Sequence, residues 1–140
     1  MAVYVATDHK ITINGTNLST SLQSVSIDVS ADEIETTAFG SGFRTRLPGL
    51  KSGSVTLNFF QDFAASSVDA TLWSLFNASG TATYATVVVL PTSSAVGAGN
   101  PAYTAVCVVT QYQPYSASVG DIATLSVTWP TTGTVTRATA

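Results

Sequence analysis

Polar and apolar residues alternate with a period of two along much of the chain, the spacing of strands that bury one face and wet the other. Lys10-Ile11-Thr12-Ile13 opens the pattern and runs into Asn14-Gly15, a pair that supplies the positive φ of a tight hairpin turn. From Leu22 to Val29, Val25, Ile27 and Val29 fall on one face and Ser24, Ser26 and Asp28 on the other. Ser54 to Phe63 repeats the scheme, with Val55, Leu57, Phe59 and Phe63 opposed to Thr56, Asn58, Phe60 and Asp62. Further strands are expected over Tyr84–Leu90, Ala102–Tyr112 and Asp121–Trp129, closed by Pro91, Pro114 and Pro130, because proline cannot donate to a ladder. One stretch has a helical period: Val68, Leu72, Leu75 and Phe76 recur at i, i+4, i+7 and i+8. Ser66-Ser67 can cap that helix, Asp69 sits near the positive end of its dipole, and Asn77 to Gly80 suits its end. The class is mainly β, and 140 residues form one domain able to bury roughly two-thirds of its unfolded surface.

Ala31 to Gly53 has no sustained period. Loops beyond about 12–15 residues are uncommon inside a domain and are usually functional or disordered. This one carries Phe39, Phe43, Leu47 and Leu50, which disorder would leave in water, so residues 36–53 read as an arm that docks on something. Thr92 to Pro101 reads as a flexible hairpin tip. The last ten residues, 131–140, fit either a final strand or an extended arm laid on a neighbour.

Composition sharpens this picture. Only 9% of the residues are charged, against about 25% in an ordinary domain. After Asp69 the sole ionised side chains are Asp121 and Arg137, while the chain holds 22 Thr and 17 Ser. A surface with hydroxyls in place of charges is suited to being covered by copies or partners. Net charge is −3, with no basic cluster of the kind that grips a phosphate backbone. No run approaches the ~20 apolar residues of a membrane span, so no membrane insertion is expected. Without a cysteine pair, and with an N-terminus Met1-Ala2-Val3-Tyr4 that lacks a basic n-region, the chain reads as made in a cytoplasm.

Chemistry is sparse. One His and one Cys, His9 and Cys107, stand far apart in the sequence, and Cys107 lies in an apolar run that marks it as a core residue. Asp28, Asp32, Glu33 and Glu35 lack the spacing of a calcium loop, and Gly40-Ser41-Gly42 lacks the surroundings of a nucleotide fingerprint. No catalytic, cofactor or metal residue is expected. Arg44 and Arg46 have two readings: surface ion pairs of little energy, or contacts to the Asp32/Glu33/Glu35 cluster of a neighbouring copy. Trp73 and Trp129 are expected in the core.

The run Glu35-Thr36-Thr37-Ala38-Phe39-Gly40, Phe43-Arg44-Thr45-Arg46 and Pro48-Gly49-Leu50-Lys51, followed by Gly53 to Phe63, resembles the tail tube proteins of long-tailed, non-contractile bacteriophages. So do Ser118-Val119-Gly120-Asp121, Ser126 to Trp129 and Gly133 to Arg137, and the likeness spans most of the chain. The resemblance implies a β-sandwich or barrel with one flanking helix and a structural virion protein with no enzymatic activity. It implies stacked, hexameric rings whose inner strands join around a lumen, with other tail proteins adjoining and genomic DNA passing through unbound. The arm, with Phe39, Phe43, Arg44, Arg46, Leu47 and Leu50, would then join subunits and rings, and Asp28, Asp32 and Glu33 are the candidates for the lumen. Independently of the resemblance, a DNA conduit should present carboxylates and hydroxyls rather than lysines. Two alternatives are another virion component, such as a capsid decoration or tail terminator protein, and a monomeric β-sandwich adhesion module with exposed aromatics at one end.

Overall fold

Asn14 and Gly15, at φ of 50° and 84°, turn strand β1 (Lys10–Ile13) back into β2 (Thr16–Asn17), as their sequence demands. The Asn14 side chain also accepts the Thr86 N–H at 2.7 Å, fastening this turn to the next strand of its sheet. A computed structural model describes residues 3–140, with the backbone alone for residues 81 and 82. Met1 and Ala2, half of the N-terminal stretch that lacks a basic n-region, lie outside the described residues.

Two antiparallel sheets face each other across one core. The larger has the order β2-β1-β5-β6-β8, where β5 is Tyr84–Leu90, β6 is Ala102–Val108 and β8 is Thr136–Ala138. The smaller has the order β3-β4-β7, from Leu22–Glu35, Arg46–Phe60 and Thr124–Pro130. Inward positions at every second residue meet between them: Val55, Leu57 and Phe59 of β4 and Leu125, Val127 and Trp129 of β7 pack with Ile11, Ile13, Val87 and Cys107. Helix α1 (Val68–Phe76) lays Val68, Leu72 and Leu75 on the same core. Cys107 is fully buried, and burial pushes its thiol up to about 11.

Several boundaries differ from the sequence reading. The strand expected to reach Phe63 stops at Phe60, and Phe63 is exposed. Asp62 leaves the ladder to organise the helix entrance, accepting the Ala64 N–H at 2.9 Å and the Ser67 hydroxyl at 2.7 Å. Ser67 therefore makes no side-chain cap of its own. Strand β6 ends at Val108, and the segment beyond it serves as an acceptor: the Trp129 indole donates to Gln111 O at 2.9 Å. Strand β7 starts at Thr124, three residues late, because Gly120 at φ +87° closes a turn from Ser118 to Asp121. Trp129 is buried as expected, but Trp73 is half exposed, on the flank of α1 beside Phe76 and Tyr112. The supposedly flexible tip at 92–101 is tied by Asn100, which accepts the Thr92 N–H at 3.0 Å and donates to Ser94 O at 2.9 Å and Ala95 O at 3.1 Å. Of the two readings of the last ten residues, the final strand is the one formed: Thr136 to Ala138 pair with β6.

Candidate assembly interface

Where β7 ends at Pro130, opposite Ser54, β3 and β4 continue as a two-stranded ribbon. The arm is thus more regular than a loop: residues 46–53 are strand, and only 36–45 turn at the tip. An extra residue on β4 between Pro48 and Lys51, opposite Ala31 to Glu33, makes a bulge there, which is why alternation was lost in the sequence. A Cβ on Gly49 would lie 3.1 Å from the Asp32 Cβ and 3.0 Å from the Ile34 Cδ1, a tight fit that those side chains would have to yield to. Six paired residues at ~3.3 Å each carry the tip roughly 20 Å beyond the sandwich.

The tip is held by its own polar groups. Thr36 N–H donates to Thr45 O at 2.8 Å, and the Thr45 N–H donates to the Thr37 hydroxyl at 3.0 Å. Ser41 N–H returns to Ala38 O at 3.3 Å, with Gly40 at φ +91° in the position where a type II turn requires it. Phe39 is thereby set at the apex, fully exposed, with Phe43 89% exposed beside it. Ile34, Leu47 and Leu50 on the ribbon are also more than half exposed. Within one copy Arg46 meets Glu33, and Arg44 lies 3.8 Å from Glu35. Both pairs are solvated and therefore weak.

The outer face of the small sheet is the second surface. By register, Ser24, Ser26 and Asp28 of β3 lie beside Asn58, Thr56 and Ser54 of β4, and these beside Ser126, Thr128 and Pro130 of β7. Side-chain hydrogen bonds run across it, from Asn58 Nδ2 to Ser24 Oγ at 2.6 Å and between the Thr56 and Thr128 hydroxyls at 3.3 Å. Asp28, which accepts from Ser26 at 3.1 Å, is the single carboxylate among these residues. Asp32 follows further out on the same side of β3, whereas Glu33 falls on the opposite side with Arg46. Both edges of this sheet, β3 and β7, lack a further strand among the described residues. A long open edge is a template for pairing with another chain.

Titratable groups do not converge elsewhere. Among the described residues no three His, Cys, Asp or Glu side chains are grouped, and no helix is long and apolar enough to cross a membrane. His9 accepts or donates to the Tyr4 hydroxyl at 3.0 Å, at the rim of the sandwich. The hydroxyl and N–H of Ser93 hold Asp8 below the usual carboxylate range, and the Ser67 hydroxyl and Ala64 N–H do the same for Asp62. Tyr112 is pushed up to about 12, first by burial and then by its hydrogen bond to Asp69, at 2.7 Å. Its folded value exceeds the unfolded one, so this contribution to stability is complete below pH ~10 and is lost as pH rises toward 12. Tyr112→Phe should lower unfolding free energy by about 1–3 kcal/mol at pH 7 and flatten the pH dependence between 10 and 12, as read by urea titrations.

The fold recurs in solved virion and tail structures. A chain in the virion of a native gene transfer agent particle superposes with a TM-score of 0.76 at 15% identity, covering 97% of this chain and 99% of that one. The SPP1 tail tube gives 0.69 at 14% identity, covering 95% and 77%. The chain thus shares its fold with the chain solved in the SPP1 tail tube. The tail of the empty gene transfer agent particle, solved with C6 symmetry, gives 0.62 at 16% identity over 84% of this chain and 82% of that one. No family model and no curated protein matches the chain.

The sequence reading missed some of what shapes this interface. The polar face needed the β4–β7 register, which joins residues some 70 positions apart and leaves no local signal. Tyr112 and Asp69, 43 positions apart, could be paired only once α1 and the segment after β6 were placed.

Proposed function

We propose that this chain is the subunit of a viral tail tube. The observation that carries the reading is the hydroxyl-covered outer face of β3-β4-β7, whose two edge strands pair with no further strand among the described residues, the β7 edge being occupied only where Thr124 N–H donates to Ser116 O and Thr128 O accepts from Gln111 Nε2. Pairing β3 of one copy with β7 of the next continues the sheet around a ring, satisfies the open edges, and turns the polar face toward a lumen. The C6 tail with the same fold favours six copies per ring. Duplex DNA would pass such a wall without binding, because no lysine or arginine stands there to release counterions, and Asp28 repels phosphate. Asp32 would sit nearer the mouth, while Glu33 holds Arg46. The arm, through Phe39, Phe43, Arg44, Arg46, Leu47 and Leu50, joins successive rings. The role is mechanical rather than catalytic, its place is the virion tail, and its partners are copies of itself, adjoining tail proteins and the genome in transit.

Hydrogen exchange tests the lateral seam. On assembly, amides of β3 between Ser24 and Ser30 and of β7 are expected to slow by at least tenfold, as free edges become ladders. Equal exchange in free and assembled chains at both edges would show that the ring closes through another surface.

A further inference from the structure

The outer edge of β7 is partly covered. Thr131 N–H donates to Gly53 O at 2.9 Å, so by alternation Leu125, Val127 and Trp129 turn their backbone groups to β4, while Thr124, Ser126 and Thr128 turn theirs outward. The segment after β6 lies along that outward side and engages it twice. Ser116 O accepts the Thr124 N–H at 3.3 Å, and Gln111 Nε2 donates to Thr128 O at 2.9 Å. Behind the edge, the Trp129 indole donates to Gln111 O at 2.9 Å. No hydrogen bond from this segment reaches Ser126 among the described residues. Pro130, which has no N–H to offer, shuts the edge beyond Thr128.

Residues 111–116 thus form a strap across β7 rather than a fourth strand. Its anchors lie behind the edge: Gln61 Nε2 donates to Pro114 O at 2.7 Å and to the Tyr112 hydroxyl at 3.2 Å, and that hydroxyl donates to Asp69 at 2.7 Å. Beyond Pro114 the hold is loose. At this far end of the molecule, opposite the arm, Phe63 and Tyr115 lie with ring centroids 5.7 Å apart and are both more than half exposed, as are Val119 and Ile122. A recess of about 680 Å³, lined by Tyr115 and Ser118 on one limb and by Asp121, Ile122 and Thr124 on the other, separates the two limbs of the turn at Gly120. Asp121 takes part in neither ion pair formed among the described residues, so no salt bridge fastens that turn. Few contacts and exposed side chains mark a segment that opens at little cost.

Resting on the tube reading, we propose that this strap guards the β7 edge of the free subunit and is displaced by β3 of the next copy as the ring closes. Strap and strand compete for the same groups. A β3 ladder needs the Thr124 N–H and the Thr128 carbonyl, which the strap holds, and Ser126, which the strap leaves open as the place where pairing begins. Exchange favours the ring, because a continuous ladder replaces two isolated edge bonds, of which one alone is backbone to backbone. In dilute subunits the strap keeps a flat edge from pairing with whatever strand it meets, as covered edges do elsewhere. Its displacement therefore helps set the concentration at which tubes appear.

A guard and a merely structural segment respond to loosening in opposite directions. Gln111→Ala removes the side-chain bond to Thr128 while leaving the Gln111 carbonyl for Trp129, and Gln61→Ala releases Pro114 from behind the edge. Each is expected to lower the melting temperature of the free subunit and yet to lower the critical concentration for tube formation, by about 2–10-fold, the worth of one net hydrogen bond. Thermal melts and sedimentation across a concentration series read the two quantities. A lowered melting temperature with an unchanged or raised critical concentration would show a segment that only supports the fold, and would overturn the proposal while leaving the tube reading intact. If Gln61→Ala does not fold, Gln111→Ala decides alone, since Gln111 is exposed. Failure of the unmodified chain to form tubes would instead remove the tube reading, and the proposal with it.

Discussion

Replacing Phe39 and Phe43 together with serine is expected to leave the fold unchanged and to raise the concentration needed for polymerisation by about 10²–10⁴-fold. Both rings stand on the arm tip, outside the core, where the turn at Ala38 to Ser41 depends on Gly40 and on backbone hydrogen bonds. Surface changes of this kind usually move unfolding free energy by less than about 0.5 kcal/mol. Burying a phenylalanine gains about 1.5–3 kcal/mol, so two lost at each junction remove roughly 3–6 kcal/mol, and each 1.4 kcal/mol is a factor of ten. Sedimentation across a concentration series, beside circular dichroism and thermal melts, reads both halves of the expectation. Unchanged polymerisation would free the arm tip from any role in assembly. A collapse of the melting temperature would mean that the tip supports the fold instead.

The second large effect concerns the polar face. Asp28→Lys with Thr56→Lys is expected to let tubes form but make them hold DNA. Asp28 is exposed and Thr56 is only partly buried, and each gives up a single weak side-chain contact on the sheet surface. Two introduced lysines per subunit, repeated around each ring, would face a duplex that carries one phosphate charge per about 1.7 Å. Tubes assembled with a short duplex should then retain it at 50 mM salt and release it near 200 mM, since 6–10 phosphate contacts lose about 10³–10⁵ in affinity over that range. Unmodified tubes should retain none at either salt. If the lysine variant also retains none, this face does not line the lumen.

Legibility in the sequence followed locality. Val25 and Ile27 against Ser24 and Ser26 announced a half-buried strand because a period of two survives wherever one sheet face is buried and the other is wet. The arm announced itself through stranded apolar residues, but its ribbon did not, since the bulge at Pro48 to Lys51 shifts the parity and both faces are in water. Asn100 looked like ordinary turn composition, although its side chain closes the 92–100 loop through several hydrogen bonds. The far end formed by Phe63, Tyr115, Val119 and Ile122 was invisible for a different reason. Its parts meet only through β4–β7 pairing, and Phe63 had seemed to continue the inward face of a strand that in fact ends at Phe60. The lopsided charge distribution was legible throughout, and its sense became clear only when Asp28, Asp121 and Arg44 took their places on a face, an end and a tip.

Electron microscopy of the purified chain at rising concentration tests the central claim most directly. The account predicts rings that stack into hollow tubes of uniform width, six subunits around in end-on views, with the polar sheet face lining the bore. A chain that stays monomeric at millimolar concentration, or that forms filaments with no lumen, would contradict it.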